Sequence, residues 1–202
     1  MDITEERIEA AYAVADENTK RVLDILFNRN QSIKDDRPIT ERVKTFEDAC
    51  QELNRRANNR DDAAEDILCD YESNADNICV PETVAYMKLT IIVAALNEGW
   101  SPKYTEDEYR WFPWFVLYTE AEYEDLSKER KAQCRVVGRA GSNAGAGGGL
   151  AYTNANYASS SSGTHYGSRL AFKSEELASY AGKQFIDIYA VWMGIELEEK
   201  AN

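Results

Sequence analysis

One stretch of this chain restricts what the remainder can do. Residues 81–99 read PETVAYMKLTIIVAALNEG, and Val84, Met87, Leu89, Ile91, Ile92, Val93 and Leu96 would put apolar side chains on nearly every side of a helix over 82–98. Pro81 suits its first turn and Gly99 its stop. A helix with no polar face cannot lie on a surface, so the other segments must wrap it. Its most apolar run, 89–96, is far too short to span a bilayer.

The other segments divide by pattern. Residues 4–28 read as an amphipathic helix, with Ile8, Tyr12, Val22, Leu23, Leu26 and Phe27 at helical spacing. A second helix is expected over 40–53 from Val43, Phe46, Cys50 and Leu53, then a polar loop to Asp62 and a short helix over 61–71. Residues 111–118, WFPWFVLY, are strand-like, with Pro113 confining them to an edge or a bulge. The aromatics of this region could stack a sugar or a base, but large aromatics at alternating positions favour a core role. A capping box at Thr119–Glu122 opens a helix to about Gln133, and Ser174 caps a last helix over 175–197.

Between these charged, helical segments lies a contrasting one. Between Arg139 and Arg169 there is no charged residue, and eight of the chain's eleven glycines fall at 138–167. Strand-like phrases at 134–137 and 168–172 bracket it. Within it, residues 150–157 alternate, with Tyr152, Asn154 and Asn156 expected on one face and Ala151, Thr153, Ala155 and Tyr157 on the other. Residues 142–166 are almost entirely Gly, Ala, Ser, Thr, Asn, Tyr and His. That combination offers unusual backbone paths, adaptable hydrogen bonds and rigid amphipathic contact area, as a paratope does. Hairpin strands with polar outer faces, or a flexible linker, are the other readings; the alternation favours ordered strands.

Known chemistry finds little purchase. His165 is the only histidine, and no GxSxG elbow or nearby acid accompanies it. The run GAGGGL at 145–150 lacks the GK[ST] of a Walker loop and the GxGxxG of a dinucleotide loop. Cys50, Cys69, Cys79 and Cys134 form no CxxC, and the acidic residues of 61–70 lack EF-hand spacing, so neither zinc nor calcium is expected. The start of the chain, MDITEE, is acidic and has no leader-like apolar region, which points to reduced thiols in a cytoplasmic protein. With 23 Lys+Arg against 36 Asp+Glu, the net charge of −13 opposes nucleic-acid binding and association with anionic membranes.

The phrase CRVVGRAGS at 134–142, a small polar interval and YGSRLAF at 166–172 resemble the closing strands of C-type-lectin-like folds of the formylglycine-generating-enzyme type. The interval is also similar to the variable region of retroelement-diversified proteins. Phrases such as RVKTFEDAC at 42–50 and YRWFPWF at 109–115 resemble proteins of gut-bacterial phages and prophages. The resemblance implies a display surface in a protein made in the bacterial cytoplasm or carried on a virion. The lectin-like family's calcium and catalytic cysteine have no counterparts here.

Together these readings predict an α+β protein. A helical N-terminal part (1–100) packs on a small antiparallel sheet with a C-terminal helix (101–202), C-type-lectin-like in outline, and segment 138–168 is displayed. The expected function is non-catalytic recognition of a protein or glycan, with no cofactor or metal. Its contacts would be Asn143, Tyr152, Asn154, Asn156, Tyr157, Ser160, Thr164, His165 and Tyr166. The alternative is a phage structural protein whose glycine-rich strands self-associate into a homo-oligomer or bind other virion proteins.

Overall fold

A computed structural model describes residues 5–26, 37–103, 105, 107–136, 148–158 and 170–197. It divides into two compact units, 1–37 and 38–202. In the first, α1 (Glu5–Val14) and α2 (Glu17–Leu26) stand where a single helix was expected. Asp16 explains the break, because its side chain accepts the Thr19 N–H at 2.8 Å and starts a new helix.

The second unit is mixed helix and sheet, as expected. Its helices begin with α3 (Ile39–Arg42) and α4 (Phe46–Ala57). The stretch read as one helix breaks at 43–45, where Thr45 and Asp48 form a reciprocal capping box and Asp48 also accepts the Lys44 N–H. Restarted there, α4 runs through part of the expected loop. Asp61 then caps α5 (Asp62–Asn74) by accepting the Ala64 N–H at 3.1 Å. The apolar helix, α6 (Pro81–Asn97), has Pro81 in its first turn and ends with Glu98 in the left-handed region at φ 50°. Leu89, Ile91, Ile92 and Leu96 are fully buried. Each such side chain contributes about 1.5–3 kcal/mol on burial, so α6 holds its neighbours through packing rather than through helix propensity.

The sheet has three antiparallel strands in the order β1 (Arg110–Leu117), β3 (Gly149–Ala158), β2 (Arg135–Val136). Between β1 and β2 lie two short helices, α7 (Glu120–Glu124) and α8 (Lys128–Lys131), in place of one longer helix, because Ser127 caps a fresh start. Of the strand expected at 168–172, the described residues contribute a single bridge, Phe172 opposite Trp111. The last helix is also interrupted, giving α9 (Glu175–Gln184) and α10 (Ile186–Trp192) about Phe185. The break lets the two halves face different partners. α9 lies mainly on β1 and β3 and puts Leu177, Ala178 and Ala181 into the main core, while α10 lies mainly on α6, adding Tyr189 to that core and packing Ile186 and Ala190 on Leu150 of β3.

The result is layered. Helices α4–α6 lie on one side of α9 and α10, and the sheet lies on the other. The main core takes residues from both sides of position 100. Two kinds of tie hold the layers in register. Tyr180 Oη donates to the Val43 carbonyl at 2.8 Å and Gln184 Nε2 to that of Lys44 at 2.7 Å, fixing α9 to the turn before α4. Asn97, buried at the end of α6, donates Nδ2–H to the Ala171 carbonyl at 2.8 Å and accepts the Lys173 N–H at 3.0 Å. Phe172, between those two residues, makes both of its backbone bonds to Trp111.

Asn97→Ala removes both bonds and strands two backbone groups, so it should cost about 2–4 kcal/mol in chemical denaturation. A loss below 1 kcal/mol would show that the joint is held elsewhere. At Asp61, burial works against the charged form, but the Arg56 guanidinium and the Ala64 N–H outweigh it and hold the carboxyl below its ordinary value. That stabilisation is present above the unfolded-state value and is lost as pH falls through the lower folded-state value. Asp61→Ala should therefore cost about 1 kcal/mol at neutral pH, with the deficit shrinking below about pH 4. Denaturation curves of both proteins across that range provide the check.

Candidate functional site

Strand β3 carries the described part of the expected contact surface. Its residues do not alternate throughout. Trp114 of β1 pairs with Asn154 and Phe115 with Tyr152, so Thr153 is an extra residue opposite the Trp114–Phe115 step. Because paired residues point to the same side, the bulge moves Tyr152 to the opposite face from Asn154 and Asn156. Tyr152 instead shares the helix-facing side with Ala155 and Tyr157. This corrects the predicted face assignment, which assumed an uninterrupted period of two.

Tyr152 is engaged with α9. Its hydroxyl lies 2.7 Å from Ser179 Oγ, and Lys183 Nζ sits 5.2 Å from its ring centre. A Cβ at Gly182 would come within 2.6 Å of the ring and 2.7 Å of Pro113, so glycine is what lets α9 approach the sheet this closely. Arg130 of α8 braces the same place, donating to the Tyr152 carbonyl and the Tyr118 hydroxyl. Tyr152 thus supports the sheet against α9.

Tyr157 has a different setting. It faces the helix side but remains 55% exposed. Its ring meets Tyr109 edge-on at 4.7 Å and Trp111 at 5.3 Å, and Tyr109 is itself 51% exposed. Trp111 is half-buried against the core and tied to Phe172 by two backbone bonds. The three rings form a rigid aromatic ledge backed by the fold. On the opposite face Asn154 and Asn156 are exposed beside Trp114, which is 41% exposed, while Phe112 and Arg110 on that face are buried. Hence the aromatic stretch 109–118 divides. Phe112 serves the core, as expected, whereas Tyr109 and Trp114 face solvent. Tyr109 lies just before β1 and Trp114 lies opposite the bulge of β3, a placement that only the strand register reveals.

The glycine run is partly accounted for by packing. A Cβ on Gly148 would fall 1.6 Å from the Tyr118 carbonyl oxygen, and one on Gly149 would strike the Tyr123 ring at 2.7 Å. These two residues let β3 start beneath the β1–α7 turn. Asn143, Ser160, Thr164, His165 and Tyr166 lie outside the described residues. The structure therefore brings Asn154 and Asn156 together on one face and sets Tyr157 on the other, with Tyr109, Trp111 and Trp114 as additional exposed or half-exposed members.

All four cysteines are free thiols. Burial pushes the Cys50 and Cys134 thiols up, away from the thiolate a nucleophile needs. Among the described residues, no three or more His, Cys, Asp or Glu side chains gather as a metal ion would require, and no helix is long and apolar enough to cross a membrane. No family model, curated protein or solved structure matches the chain.

The two tyrosines of β3 should separate in experiment. Tyr152→Ala is expected to cost about 2–4 kcal/mol through lost packing on α9. Tyr157→Ala should cost about 1 kcal/mol or less, the worth of an exposed edge-on ring pair. Equal losses in urea denaturation would contradict the placement of the two rings on differently covered parts of the sheet.

Proposed function

We propose that this chain is a non-catalytic recognition protein of phage or prophage origin that binds its partner through segment 138–168 and the outer half of β3. The observation that carries this reading is the ledge of Tyr109, Trp111 and Tyr157. Two tyrosines more than half exposed, Tyr157 in β3 and Tyr109 just before β1, meet edge-on rather than folding into the core. Rigid tyrosyl surface of this kind loses little side-chain entropy on binding, while neighbouring Asn, Ser and Thr supply adaptable hydrogen bonds. Asn154, Asn156 and Trp114 extend the surface around the strand. The net charge of −13 disfavours a phosphate-rich partner, leaving a protein or a glycan.

Self-association through the glycine-rich strand has less support. Gly148 and Gly149 are occupied by Tyr118 and Tyr123, and Pro113 removes a donor from the outer edge of β1.

The test has two arms. The purified protein is panned against a displayed peptide library and an arrayed glycan set, and its mass is followed by sedimentation velocity. A monomer that selects ligands whose binding falls at least about tenfold in Tyr109→Ala and Tyr157→Ala, with thermal midpoints unchanged, supports recognition. A closed oligomer that buries the ledge, or ligands indifferent to both substitutions, would overturn it.

A further inference from the structure

Strand β1 stands at one edge of the sheet, with β3 on its inner side. Backbone bonding in an antiparallel strand alternates, residue by residue, between the two sides. Both ends of β1 show which residues point where. Trp111 exchanges N–H and carbonyl bonds with Phe172 on the outer side, and the Tyr118 N–H bonds to Gly149 of β3 at 2.8 Å. Even-numbered residues therefore bond to β3, while Pro113, Phe115 and Leu117 turn their backbone groups outward. The extra residue of the bulge, Thr153, belongs to β3, so the alternation along β1 is unbroken. Among the described residues nothing bonds to the outward N–H groups of Phe115 and Leu117, or to the carbonyls of Pro113, Phe115 and Leu117.

Open edges are ordinarily guarded by charged side chains, yet residues 111–117 carry none. The side chains beside the edge are apolar and accessible on both faces. Trp114, 41% exposed, lies on the face away from the helices, and Leu117, 37% exposed, lies on the helix side with its partner Leu150. Outward N–H and C=O groups at strand spacing match one kind of ligand, another extended backbone. Residues 113–117 span roughly 15 Å, enough for a short peptide strand. A second copy of this chain fits less well than a foreign segment. Two β1 edges set antiparallel would each bring a proline, so the pair loses two donors where a foreign peptide meets the loss of one. Each copy also carries a charge of −13, which opposes close pairing.

We infer that the outer edge of β1 at 113–117 is a docking site for an extended segment of another protein, which adds to the sheet as a further strand. Phe115 and Leu117 each donate to it and accept from it, and the Pro113 carbonyl accepts one more bond. Its side chains alternate between the Trp114 face and the Leu117 face, so apolar and β-branched residues suit both. The site uses main-chain groups at the end of β1 away from Tyr109, and it does not depend on the recognition proposed for β3.

Amide exchange of the full chain, read residue by residue by NMR, is the first measurement. The N–H groups of Phe115 and Leu117 should exchange at least about tenfold faster than those of Phe112 and Val116, which bond to β3. The probe is then a peptide selected on the full chain from a displayed library of random linear ten-residue peptides. Its binding should slow exchange at Phe115 and Leu117 at least about tenfold and leave Val116 unchanged. Leu117→Pro removes an outward donor and no bond to β3, so it should weaken that peptide about tenfold with its thermal midpoint unchanged. If the midpoint of that variant falls, the exchange data decide alone. Phe115 and Leu117 exchanging as slowly as Val116 in the free protein, a library that yields no ligand, or unchanged peptide affinity in a stable Leu117→Pro would each overturn the inference. So would a dimer that protects both amides without peptide, because the edge then belongs to a second copy. Peptides lost in Tyr109→Ala and Tyr157→Ala that leave exchange at Phe115 and Leu117 unaltered would support the ledge and overturn the edge site.

Discussion

The buried amide of Asn97 sets the relation between the two halves of the larger unit. One side chain at the end of α6 satisfies the Ala171 carbonyl and the Lys173 N–H, and the residue between them pairs with β1. The end of the apolar helix and the edge of the sheet are thereby fixed to the same three residues. Ion pairs surround this joint: Arg42 reaches Glu52 and Glu98, and Lys173 reaches Glu98. Glu98 is 41% exposed, and pairs in such settings contribute only about 0–1 kcal/mol each. A buried, doubly bonded amide outweighs the two pairs to Glu98, because losing it leaves backbone groups without partners. The charges around the joint reinforce an arrangement that Asn97 has already fixed.

The joint creates a frame that tolerates surface aromatics. Trp111 is held from behind by Phe172, and Phe172 by the segment that Asn97 grips. Tyr109 and Tyr157 therefore rest on a support that reaches back to the central helix. Exposed aromatic rings on a loose loop would collapse inward to escape water. Here the register of β3 on β1 sets Tyr157 beside Trp111, and Tyr109 meets both rings.

Much of the architecture was legible in the sequence because its signals are local. The apolar helix was read from composition and from Pro81 and Gly99, the caps at Thr119 and Ser174 from residue type, and strands near β1 and β3 from the strand-like run 111–118 and the alternation of 150–157. The misses share one cause. At Asp16, at Thr45 and Asp48, at Ser127 and at Phe185, apolar spacing continues across a break, and the capping bond or change of packing partner overrides it. The bulge at Thr153 is the same kind of event in a strand. Nothing in the residue types of 150–157 marks where the extra residue sits, since that depends on how Trp114 and Phe115 meet it from the neighbouring strand. Thus Tyr157 could be read as a surface residue from sequence, but the support role of Tyr152 required the register.

The irregularity at Thr153 also divides β3 by how freely each part can evolve. Before it, Gly149, Leu150, Ala151 and Tyr152 each fill a space shaped by another element, and replacing any of them disturbs the fold. Beyond it, Ala155 stays in the core and Tyr157 rests on Tyr109 and Trp111, while Asn154 and Asn156 are exposed. A strand built this way commits its inner end and Ala155 to packing and leaves the Asn154 and Asn156 side chains as the positions whose chemistry the core does not dictate.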